Sequence, residues 1–252
     1  MHRIAPNMSL HNKYRMTVEQ NLYVAKRNLV DYIWKSACLE GRDISYHQVQ
    51  SVCDGGMING LLRDDVVAVN NLKHAWQLVF ERVDRPIDIA CICRLNQVVG
   101  SNLIYDSGYL RKVPVRMGGT SWVPDMPIES QIKEKLQDIM DIPAATDRAI
   151  TLMLWSMRRQ MFPGGNKRTS MLAANQVMIQ NGCGVISVPI EKQDRFKELL
   201  VRFYETNDMS TLKSFVYDDC IDGVDFPKEQ ERRPLDDESK FKNYKKKQDR
   251  SR

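Results

Sequence analysis

A tight turn between two helical patterns constrains the fold of this 252-residue chain more than any other feature. The turn is Pro163-Gly164-Gly165. One helical pattern runs from Asp147 to about Met161 before it, and another runs from Asn166 to Gln180 after it. Because glycine adopts the left-handed backbone conformations that such turns require, the sequence predicts two antiparallel helices joined by a short loop.

The start of the second helix has the features of an anion-binding site. The first N–H groups of a helix have no partner within the helix, so they attract anions where glycines let a ligand approach the backbone. Lys167 and Arg168 add positive charge, and the guanidinium can bind a phosphate through two hydrogen bonds. Asn166 can bridge either the loop backbone or a phosphate. A Gly-Gly turn is also a common structural connection, so composition alone leaves both interpretations open.

The remaining helical patterns predict an all-α protein. Thr17 and Gln20 form a capping box, which opens a helix that is expected to run to about Glu40 and to end at Gly41. Thr146 is expected to cap the helix before the turn. A short helix followed by a Gly-rich turn is predicted within residues 43–62. Further helices are predicted at about 65–83, 87–99, 127–140, 191–206 and 210–220.

Two short segments have the alternating pattern of β-strands. Residues 185–188 predict one strand, and the alternation of Val113, Val115 and Met117 predicts another strand or a hairpin. The expected fold class is therefore an all-α helical bundle with one small β-hairpin.

Composition limits the classes of function. None of the six cysteines forms a Cys-x-x-Cys pair, so the local pattern of a zinc site is missing and free thiols are expected. The net charge of +5 lies largely after residue 223, and DNA binding is not expected. The Lys245–Lys247 run is compatible with RNA or membrane contact, but a solvated segment accounts for it as well. Apolar runs are too short to span a bilayer, and the first ten residues lack a secretion signal, so we expect a cytoplasmic protein without membrane contact.

The turn and its surroundings resemble the core motif of the Fic/Doc family. Phe162-x-x-Gly165-Asn166-x-Arg168 is similar to the family pattern His-x-Phe-x-acid-Gly-Asn-x-Arg. Lys167 stands where many Fic proteins have a second glycine, which resembles the Doc branch, whose core ends in Asn-Lys-Arg-Thr. The resemblance implies a Fic-like helical fold.

Two other segments resemble parts of Fic proteins. Residues 108–119, with Gly108, Leu110, Arg111 and Val115, resemble the flap, a hairpin that holds a target polypeptide by backbone pairing. Ser36-Ala-Cys-Leu-Glu40-Gly41 resembles the inhibitory helix motif Ser/Thr-x-x-x-Glu-Gly. The three segments occur in the order found in Fic proteins with an N-terminal inhibitory helix. The resemblance thus implies an arm at 1–15, an inhibitory-helix region at 16–62 that packs on the core, a Fic-like domain at 63–223 and a charged tail at 224–252.

The resemblance also implies a chemistry that this chain lacks in part. Fic enzymes transfer AMP from ATP to a protein hydroxyl: a histidine removes the hydroxyl proton, an acid holds Mg²⁺, and a second arginine binds the terminal phosphate and pairs with the inhibitory glutamate. Gln160, Gly164 and Met171 stand at these three positions. An amide cannot accept a proton near neutral pH, and losing a general base typically slows a reaction by about 10²–10⁴-fold.

The resemblance assigns four groups of site residues. Gln160 holds the position of the catalytic histidine, no residue is assigned to a metal, and Mg²⁺ is not expected because Gly164 replaces the acid. Glu40 either pairs with Arg168 or is an ordinary helix residue, as Ser36 would be, and both interpretations stay open. The other groups are phosphate-binding residues Gly164, Gly165, Asn166, Lys167 and Arg168; regulatory residues Ser36, Glu40 and Gly41; and flap residues Leu110, Arg111, Val113 and Val115.

Two hypotheses on function follow. In the first, the protein binds ATP or another nucleotide at residues 160–168 without AMP transfer and has a regulatory role, for instance in a toxin–antitoxin-like pair. In the second, it is an active nucleotidyl- or phosphotransferase that modifies a protein hydroxyl, either an AMPylating enzyme or a Doc-like kinase toxin. Both expect a protein target at the flap, and both leave a homodimer open.

Overall fold

The computed structural model describes residues 9–56 and 60–226. Most of the predicted tail, 227–252, and the first eight residues of the predicted arm lie outside these ranges. The helices are α1 (Val18–Arg27), α2 (Leu29–Leu39), α3 (Tyr46–Cys53), α4 (Arg63–Glu81), α5 (Ile89–Gly100), α6 (Glu129–Met140), α7 (Ala145–Arg159), α8 (Asn166–Gln180), α9 (Gln193–Thr206) and α10 (Ser210–Asp219). In the part of the chain that the structure describes, β1 (Val185–Ile186) pairs antiparallel with β2 (Ile221–Asp222). The predicted all-α class is confirmed.

Helix α8 lies at the centre of the fold and packs against α4, α5 and α7. It is buried on every side because apolar or small residues occur all around it, as expected of a helix without a polar face. The two buried amides in its middle are satisfied: Asn175 exchanges hydrogen bonds of 2.6 and 2.9 Å with the backbone of Ile186, and Gln176 donates to the carbonyls of Arg82 and Arg85. This central position holds the start of α8, and hence the predicted anion site, in a fixed place.

The N-terminal helices pack on this core. The single helix predicted to run to Glu40 is instead two helices, since the chain bends at Asn28, whose side chain donates to Asp222 of β2. The predicted capping box at Thr17 is present. Helix α2 buries Ile33 and Ala37 and ends beside the loop between α7 and α8.

Residues 10–16 lie along the core. The amide of Leu10 donates to Asp147, and Asn12 accepts a hydrogen bond from the amide of Thr146. The predicted Thr146 cap is therefore wrong: Ala144 is the N-cap residue of α7, and the acceptor at this helix start comes from Asn12.

The strand or hairpin predicted from Val113, Val115 and Met117 does not form. Residue 113 lies in a bend, residues 114–117 have no regular secondary structure and a turn follows at 118–119, and no described strand pairs with this segment. The small sheet is formed by β1 and β2, and β1 lies within the strand predicted at 185–188. No helix among the described residues is long and apolar enough to cross a membrane.

Candidate functional site

The loop between α7 and α8, residues 160–165, reverses the chain through two residues with left-handed backbone conformations. Gln160 has φ 46° and ψ 59°, and Gly165 has φ 72°. A Cβ atom on Gly165 would lie 3.2 Å from Val99 Cγ1 and 3.3 Å from Ile104 Cδ1, so both backbone conformation and space favour glycine. The loop therefore has one fixed path, which aims the start of α8 at the surface between α9 and the flap.

Asn166 holds the loop together from within. Its Nδ2 atom donates to Gln160 Oε1 at 3.0 Å and to the Phe162 carbonyl at 2.9 Å, while its Oδ1 atom accepts from the Phe162 amide at 3.0 Å. Both amide hydrogens are thus engaged by the protein. Of the two roles that the sequence left open for Asn166, the geometry places this side chain on the loop backbone.

Asn96 of α5 forms hydrogen bonds that hold the loop at residues 160–165 in place. The sequence did not predict this role. The Asn96 Nδ2 atom donates to the Gly164 carbonyl at 2.9 Å and to Thr169 Oγ1 at 3.1 Å, and its Oδ1 atom accepts from the Gly108 amide at 2.8 Å. The side chain is fully buried. A polar residue on the otherwise apolar stripe of α5 was the available signal, because buried amides are nearly always hydrogen-bonded.

Gln160 occupies the position of the family's histidine, and its side-chain amide contacts the Met157 carbonyl, Asn166 and Tyr204. Its Nε2 atom donates to the Met157 carbonyl at 2.7 Å, and its Oε1 atom accepts from Asn166. The Tyr204 phenol lies beside it: burial raises the pKa of Tyr204, the hydrogen bond with Gln160 opposes this, and the charge of Glu40 adds to it. Neither group has the properties of a base at neutral pH.

The start of α8 opens onto a cleft of about 870 Å³. No side chain within residues 9–56 and 60–226 caps this helix, so its first amides have no side-chain acceptor there. The phosphate-binding residues predicted in the loop lie on the wall of the cleft, except Arg168. The cleft is lined by Glu40, Val115, Arg116, Met117, Gly118, Gly119, Gln160, Pro163, Gly164, Gly165, Asn166, Lys167, Lys197, Glu198, Leu200, Val201 and Tyr204.

Arg168 lies behind Glu40. Its side chain is only 8% exposed, and its Nε atom is 3.7 Å from Glu40 Oε2, while Lys167 Nζ is 3.4 Å from Glu40 Oε1. Among the described residues, Nε and Nη1 of Arg168 have no hydrogen-bond acceptor. Burial lowers the pKa of Arg168, the charge of Glu40 raises it, and that of Arg42 lowers it further. The predicted proximity of Glu40 and Arg168 is thus observed, and Glu40 separates this guanidinium from the cleft.

Of the other residues of the predicted inhibitory motif, Ser36 lies near Arg168, and Gly41 ends the turn after α2. Ser36 and Met171 are buried beside Arg168, around a small internal space of about 10 Å³. Gly41 has φ 82° and ends the turn after α2, where a side chain would be strained. Met171 stands where the family has its second arginine, which leaves Arg168 and Lys167 as the cations that Glu40 contacts.

The predicted flap borders the cleft, but Arg111 has a different role from the one predicted. This side chain is buried and donates to the carbonyls of Gln160, Val113, Pro124 and Asp125. It therefore joins the flap to the loop and does not face a target. Of the other predicted flap residues, Leu110 is half-buried against the core, Val113 is 60% exposed, and Val115 lines the cleft. No amide between residues 112 and 119 donates to a described backbone carbonyl.

No protein-family model matches this sequence, and no curated protein sequence does. Solved structures do match. A Fic domain containing signaling protein from Bacteroides thetaiotaomicron superposes with a TM-score of 0.66 at 17% identity, over 80% of this chain and 85% of that one. Residues 134–508 of Fic-1 from C. elegans superpose with a TM-score of 0.62 at 20% identity. The match covers 77% of this chain but only 61% of the Fic-1 chain. A Fic family protein from Desulfovibrio desulfuricans superposes with a TM-score of 0.56 at 16% identity, over 79% of this chain and 64% of that one.

These similarities agree with the three segments that resembled Fic proteins in the sequence. At sequence identities this low, the similarities support a shared fold and say nothing about a shared activity. The expected fold is confirmed: this chain has the Fic fold.

Proposed function

We propose that this chain binds a phosphate-bearing ligand, first of all a nucleotide such as ATP or ADP, at the start of α8. The observation that carries the proposal is the buried guanidinium of Arg168, whose Nε and Nη1 atoms have no hydrogen-bond acceptor in the described part of the chain and lie beside a helix start without a side-chain cap. Burying a cation without acceptors is unfavourable, and a phosphate would supply several charged ones. The cleft volume of about 870 Å³ also suits a small-molecule ligand.

Glu40 is proposed to regulate this site. A phosphate that reaches Arg168 must displace the Glu40 carboxylate, because Glu40 lies between this guanidinium and the cleft and also contacts Lys167. Glu40 and the ligand therefore compete for the same two cations. The Glu40 side chain is 20% exposed, so the ion pair is partly desolvated, and its loss should change affinity more than the loss of a surface pair would.

Titration calorimetry with ATP, ADP and AMP tests this proposal. We expect Glu40→Gly to bind at least about tenfold more tightly than the wild type, which corresponds to about 1.4 kcal/mol. Arg168→Ala should weaken binding by about tenfold or more, because charge-assisted hydrogen bonds are lost. Glu40→Gln is the shape-matched variant without the charge, and Glu191→Gln is a control away from the cleft. Absence of binding at about 1 mM ligand to both the wild type and Glu40→Gly would contradict the proposal.

AMP transfer by the mechanism of Fic enzymes is not part of this proposal. The amide of Gln160 is engaged by Met157 and Asn166, and it cannot act as a base. The carboxylates that line the cleft are Glu40 and Glu198, and both are paired with cations. A regulatory binding protein fits this site better than an AMP transferase does.

The second candidate function is transfer of a nucleotidyl or phosphoryl group to a protein hydroxyl. It is favoured by the flap, which borders the cleft with the exposed Val113 and with amides at 112–119 that donate to no described backbone carbonyl, so that a target polypeptide could pair with them. The double variant Gln160→His with Gly164→Asp should raise AMP transfer, because it restores a base and a metal ligand. A Cβ atom on residue 164 would lie 3.1 Å from Ile104 Cδ1, so the triple variant with Ile104→Val should be more active.

Incubation of these variants with labelled ATP and a cell lysate measures the transfer. Labelled proteins with the wild type would favour the second function over the first. If the double and triple variants are as inactive as the wild type on a broad set of proteins, then the site lacks more than these two groups. A homodimer is compatible with either function and is tested by light scattering.

A further inference from the structure

We propose that the cleft binds its ligand as a metal-free polyphosphate anion, with Lys167, Lys197 and Arg116 in the place of a divalent cation. The inference rests on the proposed function and specifies the form of the ligand. Its starting point is the set of oxygen donors in the cleft, which does not suit Mg²⁺.

Mg²⁺ at a phosphate site usually takes one or two protein carboxylates along with phosphate oxygens and water. Two carboxylates line this cleft. Glu40 is already shared by Lys167 and Arg168, and Glu198 is exposed and paired with Arg195 at 3.0 Å. The family's metal-binding acid is replaced by Gly164, whose carbonyl accepts a hydrogen bond from Asn96. Within the described residues, no group of three His, Cys, Asp or Glu side chains is placed to hold a metal ion.

Three cations line the same cleft from three different elements. Lys167 belongs to the first turn of α8, Lys197 lies on α9, and Arg116 lies on the flap. Lys197 is 45% exposed and 3.4 Å from Asp194, and Arg116 has no ion-pair partner among the described residues. Lys197 and Arg116 can move toward an anion because neither is held in a buried network, whereas Lys167 contacts Glu40 until a ligand displaces that carboxylate.

The two kinds of site respond to Mg²⁺ in opposite ways. A polyphosphate carries several negative charges, and bound Mg²⁺ cancels two of them. A site whose carboxylates face the phosphates without a cation partner needs that ion, since the carboxylates otherwise repel the phosphates; Glu40 and Glu198 here are each paired with a lysine or arginine. A site with three lysine or arginine side chains loses attraction when the ion is present, because fewer charges remain for its cations to bind.

The experiment compares ADP binding to the Glu40→Gly protein in EDTA and in excess Mg²⁺, with pyrophosphate as a second probe that lacks the nucleoside. We expect ADP to bind equally or more tightly in EDTA. Binding at least about threefold tighter in Mg²⁺ would overturn this inference and leave the proposed function standing. If neither probe binds in either condition, both proposals fail. The inference is supported whether only ADP binds or both ADP and pyrophosphate bind, provided that the affinity is not lower in EDTA than in Mg²⁺.

The lysines give an independent test in EDTA. Lys197→Ala and Lys167→Ala should each weaken ADP binding by about three- to fivefold, as expected for partly exposed charges. Lys135→Ala, which removes a surface lysine paired with Asp138 on α6, should leave the affinity unchanged. Unchanged affinity in both cleft variants would overturn the assignment of these side chains as the substitute for the metal.

Discussion

The two walls of the cleft are built in opposite ways. The loop at residues 160–165 is fixed by hydrogen bonds from Asn166 within and Asn96 outside, while the amides of residues 112–119 in the flap donate to no described backbone carbonyl. A ligand that must be recognised by geometry needs donors in fixed positions, whereas a segment with free amides can pair with different polypeptides. This difference supports the proposal that the loop recognises the phosphate and that the flap recognises a partner.

Arg111 joins the two walls, and its removal should have the largest effect. In Arg111→Ala, the carbonyls of Gln160 and Val113 lose a charged donor, and so do those of Pro124 and Asp125. We expect the free energy of unfolding to fall by about 3 kcal/mol or more, as for other buried charge networks. Urea denaturation measures it. The neighbouring exposed cation gives the control, Arg116→Ala, with an expected change within about 0.5 kcal/mol. Similar losses in the free energy of unfolding for both variants would contradict the role of Arg111 as the link between the two walls.

Removing the hydrogen bonds of Asn166 within the loop should have the second-largest effect on the free energy of unfolding. Asn166→Ala removes the three hydrogen bonds that Asn166 makes with Gln160 and Phe162, and we expect a loss of about 2 kcal/mol. Asn70→Ala is the control, because Asn70 makes one hydrogen bond to Val66 within its own helix and should lose less than about 1 kcal/mol. Equal losses in the two variants would mean that the loop is held mainly by packing.

Glycine substitutions compare the backbones of the two walls. Gly165→Ala places a Cβ atom on a residue with φ 72° and close to Val99, so we expect a loss of about 1–2 kcal/mol. A Cβ atom on Gly118 of the flap would meet no atom within 4 Å, and Gly118→Ala should be close to neutral. Thermal unfolding of both variants provides the measurement. A larger loss at Gly118 would show that the flap is the more constrained wall.

The smallest effect on stability is expected on the flap surface. Val113 is 60% exposed, so Val113→Ser should change the free energy of unfolding by less than about 0.5 kcal/mol. The buried Val177 of α8 is the matched control, and Val177→Ser should lose about 2 kcal/mol or more. A loss above about 1 kcal/mol at Val113 would indicate that this segment packs against the protein instead of being available to a partner.

Local patterns in the sequence were sufficient for most of the helices. The bounds of α8 were predicted residue for residue, because a glycine turn precedes this helix and Gly182 follows its last turn. The bend at Asn28 was not predicted, since it depends on a hydrogen bond to Asp222 that joins residues 194 positions apart. The N-cap of α7 was misplaced for the same reason: its acceptor, Asn12, comes from 134 residues earlier in the chain.

The sequence by itself determined the turn, the helix that begins after it and the cations beside that helix start. These features depend on interactions between residues a few positions apart, and glycine, capping and charge patterns encode such interactions directly. Only the tertiary structure decided that Arg111 is a buried link, that Asn96 holds the loop from 68 positions away and that Glu40 secludes Arg168 from the cleft. Each of these contacts joins distant segments, and packing of whole helices, not local preference, brings them within hydrogen-bond or ion-pair distance.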